Sequence, residues 1–201
     1  MWLVLSIVLI ALFILDILIG SVNIPFHDVL KTILYGNTEH PEYTTIIFRF
    51  RIPKAITALF AGFALSVSGL QMQTVFRNPL AGPFVLGISA GASLGVAILV
   101  MGISTFSVIS QIGIIGNWMI VISAWLGSGL ILALILAISL RVKDIMTILI
   151  LGIMFGSATS AIVSILQYFS NESMLKAFIV WTMGSLGGVS IAQLKVLIPV
   201  L

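Results

Sequence analysis

Long runs of apolar residues, separated by short polar segments, make up most of the chain. A bilayer core of roughly 30 Å is crossed by about 20 helical residues, and the runs have that length. The five complete runs cover residues 2–22, 55–76, 84–103, 114–140 and 145–169, and a sixth begins near residue 191. They are apolar on all sides, whereas the strands of a transmembrane barrel alternate over about 10 residues. The pattern predicts an all-α, polytopic transmembrane helix bundle with five full spans and an incomplete sixth.

The sixth run is short. Residues 191–201 supply only 11 positions, roughly 16 Å of helix at about 1.5 Å per residue. A chain end at that depth would leave carbonyls and a carboxylate without partners in hydrocarbon. We therefore expect residues 1–201 to form a single transmembrane domain that is truncated at its C-terminus.

The polar segments also contain structural signals. Pro25 fits a first helical turn, Asp28 fits the positive N-terminal end of a helix, and Gly36 fits a stop. These residues predict a surface helix over 25–34. A second short helix, over 174–181, could lie at the membrane interface.

Composition narrows the function classes. Hydrophobic residues make up 60% of the chain and charged residues 7%, against about 25% charged in an ordinary soluble domain. There is no cysteine, which excludes disulfides and thiolate metal sites. No basic stripe suggests nucleic-acid binding, and no Walker A or HExxH string is present. We expect no catalytic residue, no cofactor and no metal site.

Small residues recur at four-residue spacing in three of the runs. Such residues let helix backbones approach closely in lipid. The candidates for helix packing are Gly62, Gly87, Gly91 and Gly95. The same spacing recurs at Gly152, Gly156 and Ser160. Simple packing and a surface that slides during transport remain alternatives.

Two cations precede the second run. Arg51 and Lys54 flank Pro53 and share one helix face if Pro53 lies in a first turn, where proline is tolerated. They are either snorkelling anchors at the headgroups or a patch that binds acidic groups. If the N-terminus is cytoplasmic, the turns on the outer side hold more basic residues than those inside. This balance leans against the positive-inside rule.

The stretch from residue 48 to residue 99 closely resembles the FecCD family. The resemblance rests on RIPK at 51–54, RNPLA at 77–81 and LGIS at 86–89, and it extends to LGI at 151–153 and W-x-x-GSL at 181–186. The members of this family are permease subunits of binding-protein-dependent ABC importers for iron–siderophores, haem or vitamin B12. The resemblance covers essentially the whole chain.

The resemblance implies a permease of roughly ten spans, of which this chain is the N-terminal half. It implies a homodimer in the bacterial cytoplasmic membrane, with a cytoplasmic N-terminus. Separate cytoplasmic ATPase subunits would hydrolyse ATP, and an extracytoplasmic binding protein would deliver the cargo. The cargo itself is not identified by the sequence.

The resemblance also implies roles for particular residues. Arg51 and Lys54 would dock the binding protein by pairing with its glutamates. Lys54 stands where arginine is usual, and lysine lacks the bidentate fork. The cytoplasmic gate would include Arg141, Lys143, Asp144 and Thr147. The pathway would be lined by Gly152, Gly156, Thr159 and Ser160.

Two other functions remain open. An ion-coupled secondary transporter usually has ionisable groups near the middle of the membrane, and Asp16 is the main acid within these runs. A non-transporting scaffold would keep the glycine packing but would not need Arg51 and Lys54.

Overall fold

The computed structural model describes residues 1–36, 40–102, 114–142 and 144–199, and all regular structure in these ranges is helical. The helices are α1 (Trp2–Leu18), α2 (Phe26–Tyr35), α3 (Pro41–Ile46), α4 (Ile52–Phe76), α5 (Ile88–Ala97), α6 (Ile114–Ser139), α7 (Ile145–Phe169), α8 (Glu172–Thr182) and α9 (Ile191–Leu197). Two π-helical segments, Ile47–Arg51 and Ile98–Gly102, precede α4 and follow α5.

The described residues form two compact units. The first unit comprises Met1–Ser66 and Ser185–Leu201, and the second comprises Val67–Gly184. Each has its own apolar core. The core of the first unit is Ile17, Ile24, Val29, Ile47 and Ala55. The second unit has two clusters, one around Val96, Leu99 and Phe178 and one around Phe76, Leu86 and Ile131.

Three helices have the length and apolarity to cross a membrane. They are Pro41–Phe76, Gly116–Ser139 and Ile145–Phe169, and Trp2–Leu18 and Ile88–Gly102 are shorter apolar helices. The predicted all-α membrane architecture is confirmed at this level, and α6 and α7 have nearly the predicted bounds. The predicted surface helix is also present as α2, which ends at Gly36 with a left-handed φ of 70°.

The first run ends its helix earlier than predicted. Its apolar residues continue to residue 22, but α1 stops at Leu18 and Ile19 is extended. The reason is a tertiary contact, since the carbonyls at this end accept hydrogen bonds from Arg51.

The second long helix begins earlier than predicted. It runs continuously over 36 residues, Pro41–Phe76, so Pro53 lies inside a helix and not in its first turn. The π-helical segment explains how this is possible. Ile52 donates its N–H to the carbonyl of Ile47, five residues earlier, and the widened turn accommodates a proline that has no N–H to donate.

The third run begins its helix later than predicted, at Ile88 and not near residue 84. A non-helical turn precedes it, as the prolines and glycine of residues 77–83 predict. Arg77 has a positive φ of 47°, and the Asn78 side chain accepts the N–H of Leu80 at 2.9 Å. Gly87 then adopts a φ of 71° at the helix start, a conformation that glycine adopts without steric cost.

Glycines bring α5 and α6 into backbone contact. A Cβ atom built on Gly91 would lie 2.6 Å from the carbonyl oxygen of Gly127, and one built on Gly127 would overlap the Gly91 carbonyl. A Cβ on Gly95 would overlap the carbonyl of Ser123. Gly62, in contrast, has nothing within 4 Å of such an atom among the described residues.

We expect Gly127→Ala to destabilise the full-length protein and Gly129→Ala to leave it unchanged or slightly more stable. Overpacking of a closed contact costs typically about 1–3 kcal/mol, whereas glycine to alanine at an open helical site gains up to about 1 kcal/mol. Gly129 is the matched control, because it lies in the same helix with nothing within 4 Å of an added Cβ. Thermal unfolding in detergent measures both. Equal melting temperatures for the two variants would contradict the packing described here.

Candidate functional site

The Arg51 side chain closes the C-terminal end of α1. Its Nη1 group donates to the carbonyls of Ile17 at 2.9 Å and Leu18 at 2.8 Å, and its Nη2 group donates to the carbonyl of Val22. The last carbonyls of a helix have no partner within the helix, and a cation is favourable at that end of the helix dipole. Arg51 is only 6% exposed, so the guanidinium acts as an internal cap.

Gly20 makes room for this cap. A Cβ atom at Gly20 would lie 2.9 Å from a guanidinium nitrogen of Arg51. A larger residue would displace the guanidinium from the carbonyls. The short segment after α1 is therefore shaped around the arginine.

Lys54 forms an ion pair with Asp16, which lies in the last turn of α1. The Lys54 Nζ atom lies 2.8 Å from Oδ1 of Asp16. The two side chains are 45% and 34% exposed, so the pair is partly accessible. The second oxygen of Asp16, Oδ2, is buried and has no hydrogen-bond partner within the described residues.

Both cations predicted for docking thus contact α1 within this chain. The spacing of Arg51 and Lys54 predicts that they share one face but does not connect them to Asp16. A signal was available, because a lone acid near the end of an apolar span needs a cation close by. Docking by Arg51 and Lys54 stays a prediction.

Open space adjoins the ion pair. A cavity of about 320 Å³ is bounded by Asp16, Lys54 and Arg51 together with Gly20 and Phe50. An incoming group could approach the pair from this side.

The predicted gate residues lie around the start of α7. Asp144 is the N-cap: its carboxylate accepts the backbone N–H of Thr147 at 2.8 Å and also the Thr147 hydroxyl. The hydrogen bond from the Thr147 hydroxyl, followed by that from its backbone N–H, holds the pKa of Asp144 below its usual value of 3.8. Arg141 is exposed just before the helix, and Lys143 lies outside the described residues.

Small and hydroxyl-bearing residues form a groove between α5 and α7. It has a volume of about 590 Å³ and is lined by Phe84, Val85, Gly87, Ser89, Ala90, Gly152, Ile153, Gly156, Ser157 and Ser160. Three predicted lining residues, Gly152, Gly156 and Ser160, line this groove. The fourth, Thr159, is buried at 4% exposure and is not among its lining residues.

A backbone contact forms the floor of the groove. A Cβ atom on Gly87 would lie 2.8 Å from the carbonyl oxygen of Gly152, and one on Gly152 would lie 2.9 Å from Cα of Leu86. The hydroxyls of Ser157 and Ser160 donate to the carbonyls of Ile153 and Gly156 at 3.0 Å and 2.9 Å. Their oxygens can still accept hydrogen bonds from a group in the groove.

These features define a helical membrane protein whose long apolar helices pack through glycine contacts. Comparison with known proteins gives its family. The profile of the FecCD transport family matches residues 8–201, and the chain belongs to this family.

Two relatives have named cargos. The vitamin B12 import system permease BtuC of Escherichia coli is 33% identical over 172 residues, which cover 84% of this chain and 50% of BtuC. The hemin transport system permease HmuU of Yersinia pestis is 33% identical over 170 residues, which cover 84% of this chain and 49% of HmuU. The chain spans about half the length of these relatives.

A solved structure has the same fold. It is described as a metal-chelate-type ABC transporter in an inward-facing conformation. The match has a TM-score of 0.74 and 26% sequence identity, and it covers 95% of this chain and 55% of the other. The described helices thus have the fold of part of that transporter chain.

The lowered pKa of Asp144 predicts a pH-dependent contribution of the cap. A carboxylate whose pKa falls on folding stabilises the folded state above its unfolded pKa, and this contribution is lost as the pH falls through the folded pKa. We expect Asp144→Ala to lower the melting temperature of the full-length protein at pH 7, and the difference from wild type to shrink below about pH 4. Thermal unfolding across this range measures it. Thr147→Val serves as the companion variant, because it removes only the hydroxyl. If the melting-temperature difference between Asp144→Ala and wild type stayed constant down to the lowest pH, a stabilising role of the charged carboxylate would be excluded.

Proposed function

We propose that the chain is part of the permease subunit of an ABC importer, which translocates an iron complex or cobalamin delivered by a binding protein. The iron complex would be a siderophore or haem. The observation that carries this proposal is the FecCD family match over residues 8–201. Two relatives are named for the import of vitamin B12 and the transport of hemin, both of which are bulky metal chelates. These names support a cargo of the same class for this chain.

The proposed assembly has several further parts. The N-terminus is cytoplasmic, five full spans precede a sixth apolar segment in this chain, and the membrane is the bacterial cytoplasmic membrane. The permease acts as a homodimer with cytoplasmic ATPase subunits, and a binding protein docks from the other side. Family membership supports these parts, and the three apolar helices of membrane length support the membrane location.

We assign different parts of the docking site to the two cations. Lys54 is 45% exposed and has three N–H donors, so a carboxylate of the binding protein can reach it before its internal contact is released. Arg51 donates its three hydrogen bonds to carbonyls at the end of α1 and in the segment that follows it. It contributes by fixing the end of α1 beside Lys54.

The gate is proposed at the turn between α6 and α7, with Arg141, Lys143, Asp144 and Thr147. Support comes from the Asp144 cap, which fixes where α7 begins. A change in the turn that displaced Thr147 would break both of its hydrogen bonds to the carboxylate. The start of α7 would then be free to shift.

The pathway is proposed along the groove between α5 and α7. Three glycines and three serines lie among its lining residues, next to apolar side chains, and none of the lining residues is charged. A cargo would therefore meet hydroxyl groups in the groove but no fixed charge that could trap it. Gly152, Gly156 and Ser160 line it, and Thr159 supports it from inside the helix packing.

Uptake by whole cells tests the proposed function. Cells that lack the full-length gene are expected to lose accumulation of one of three labelled cargos, namely a ferric siderophore, haem or cobalamin, and a plasmid copy is expected to restore it. Inactivation of the ATPase subunit should abolish the same uptake. Uptake that persists without ATP hydrolysis would indicate an ion-coupled transporter, and normal uptake of all three cargos would contradict the proposal.

Single cysteines test the proposed pathway. The chain contains no cysteine, so Ser160→Cys, Thr159→Cys and Ile162→Cys can each be labelled selectively in the full-length protein once any other cysteine is removed. We expect a charged, membrane-impermeant thiol reagent to modify Ser160→Cys far faster than Thr159→Cys, because the groove admits water and Thr159 is buried. Ile162 is exposed outside the groove and is the control for a lipid-facing site; equal rates at 160 and 162 would contradict a water-filled groove.

A further inference from the structure

The ion pair between Lys54 and Asp16 bears on how an acidic partner could dock. Lys54 Nζ is 2.8 Å from Asp16 Oδ1. A lysine that already holds a carboxylate offers a partner less positive charge than a free lysine. We propose that Asp16 is a positioning residue for docking: it holds and partly neutralises Lys54, and the partner's carboxylate takes over this contact when it binds. This inference rests on the proposed docking role of Lys54.

Arg51 cannot replace Lys54 in this contact. Its guanidinium is 6% exposed and donates to three backbone carbonyls. Moving it would leave those carbonyls unpaired in an apolar setting, which is costly. Among the described residues, Lys54 is the only cation that pairs with Asp16.

Asp16 is held in place by its surroundings. Its Oδ2 atom is buried and has no hydrogen-bond partner within the described residues, while Oδ1 holds the ammonium. A partly buried carboxylate without a cation is unfavourable. The pair is therefore the resting state of the free protein, and Lys54 is drawn towards α1.

The pair is nevertheless accessible to exchange. Lys54 is 45% exposed, Asp16 is 34% exposed, and a cavity of about 320 Å³ opens beside them. An ammonium has three donors, so a second carboxylate can bind before the first is released. The Lys54–Asp16 pair thus favours partners whose carboxylate can compete with that of Asp16 for Lys54.

Neutralising Asp16 tests this inference. In the full-length permease with its ATPase, reconstituted in nanodiscs, Asp16→Asn is expected to bind the purified binding protein encoded with the permease about two- to fivefold more tightly. That range corresponds to the strength of one partly exposed ion pair. The tighter binding should come mainly from a faster association rate, and it should diminish as the salt concentration rises. Glu42→Gln removes an exposed acid elsewhere in the first unit and is expected to leave affinity unchanged.

The double variant separates a charge effect from a purely structural one. Lys54→Gln is expected to weaken binding, and Asp16→Asn is expected to have no further effect in the Lys54→Gln background. If Lys54→Gln weakens binding but Asp16→Asn does not tighten it, Asp16 does not attenuate docking and the inference is wrong while the docking site stands. If Lys54→Gln leaves affinity unchanged, the docking site itself is wrong.

A second measurement needs no variant and covers the case in which Asp16→Asn fails to fold. A zero-length carbodiimide couples a carboxylate to an amine in contact, so it should join Asp16 to Lys54 in the free wild-type permease, as read by mass spectrometry. Saturation with the binding protein is expected to reduce this cross-link and to produce one between Lys54 and the partner. An Asp16–Lys54 cross-link of unchanged yield in the complex would overturn the proposed exchange.

Discussion

A helix that ends in apolar surroundings needs donors for its last carbonyls, and at the end of α1 these donors come from one arginine. Arg51 reaches the carbonyls of Ile17, Leu18 and Val22 from 29 to 34 residues further along the chain. The guanidinium is buried, so the protein itself supplies these bonds. The length of α1 and the position of the neighbouring Lys54–Asp16 ion pair depend on this cap. The cap also requires a residue as small as glycine at position 20.

The π-helical segment before α4 is part of the same arrangement. Arg51 is its last residue, so the widened turn carries the guanidinium to α1 and also accommodates Pro53. Lys54 follows three residues after Arg51 and meets Asp16 on the same side. One local departure from α-helical geometry therefore brings two cations to the end of one helix. Single π-helical turns within α-helices are frequent at functional sites.

The second unit is built on a different constraint, the close approach of backbones. Helices in lipid gain little from burying apolar side chains, since the lipid tails are equally apolar. Gly91 and Gly127 let α5 and α6 touch, and Gly87 and Gly152 do the same for the turn before α5 and for α7. The groove lies beside the second contact, and Gly87 and Gly152 belong to both.

The sequence alone determined the helical membrane class, the family and the approximate bounds of α2, α6 and α7. A chain with so few charged residues fits a lipid bilayer and not water. The ordered RIPK, RNPLA and LGIS strings are long enough to identify the family. The start of α7 could also be predicted from the sequence, because Asp144 directly precedes an apolar run. Tertiary structure alone decided what Arg51 and Lys54 contact, where α1 ends and which small residues pack. Sequence spacing shows which side chains share a face, but the partners of that face come from residues 29 to 38 positions away. For the same reason Gly62 and Gly91 look alike in the sequence, and only the fold brings Gly91 against another backbone.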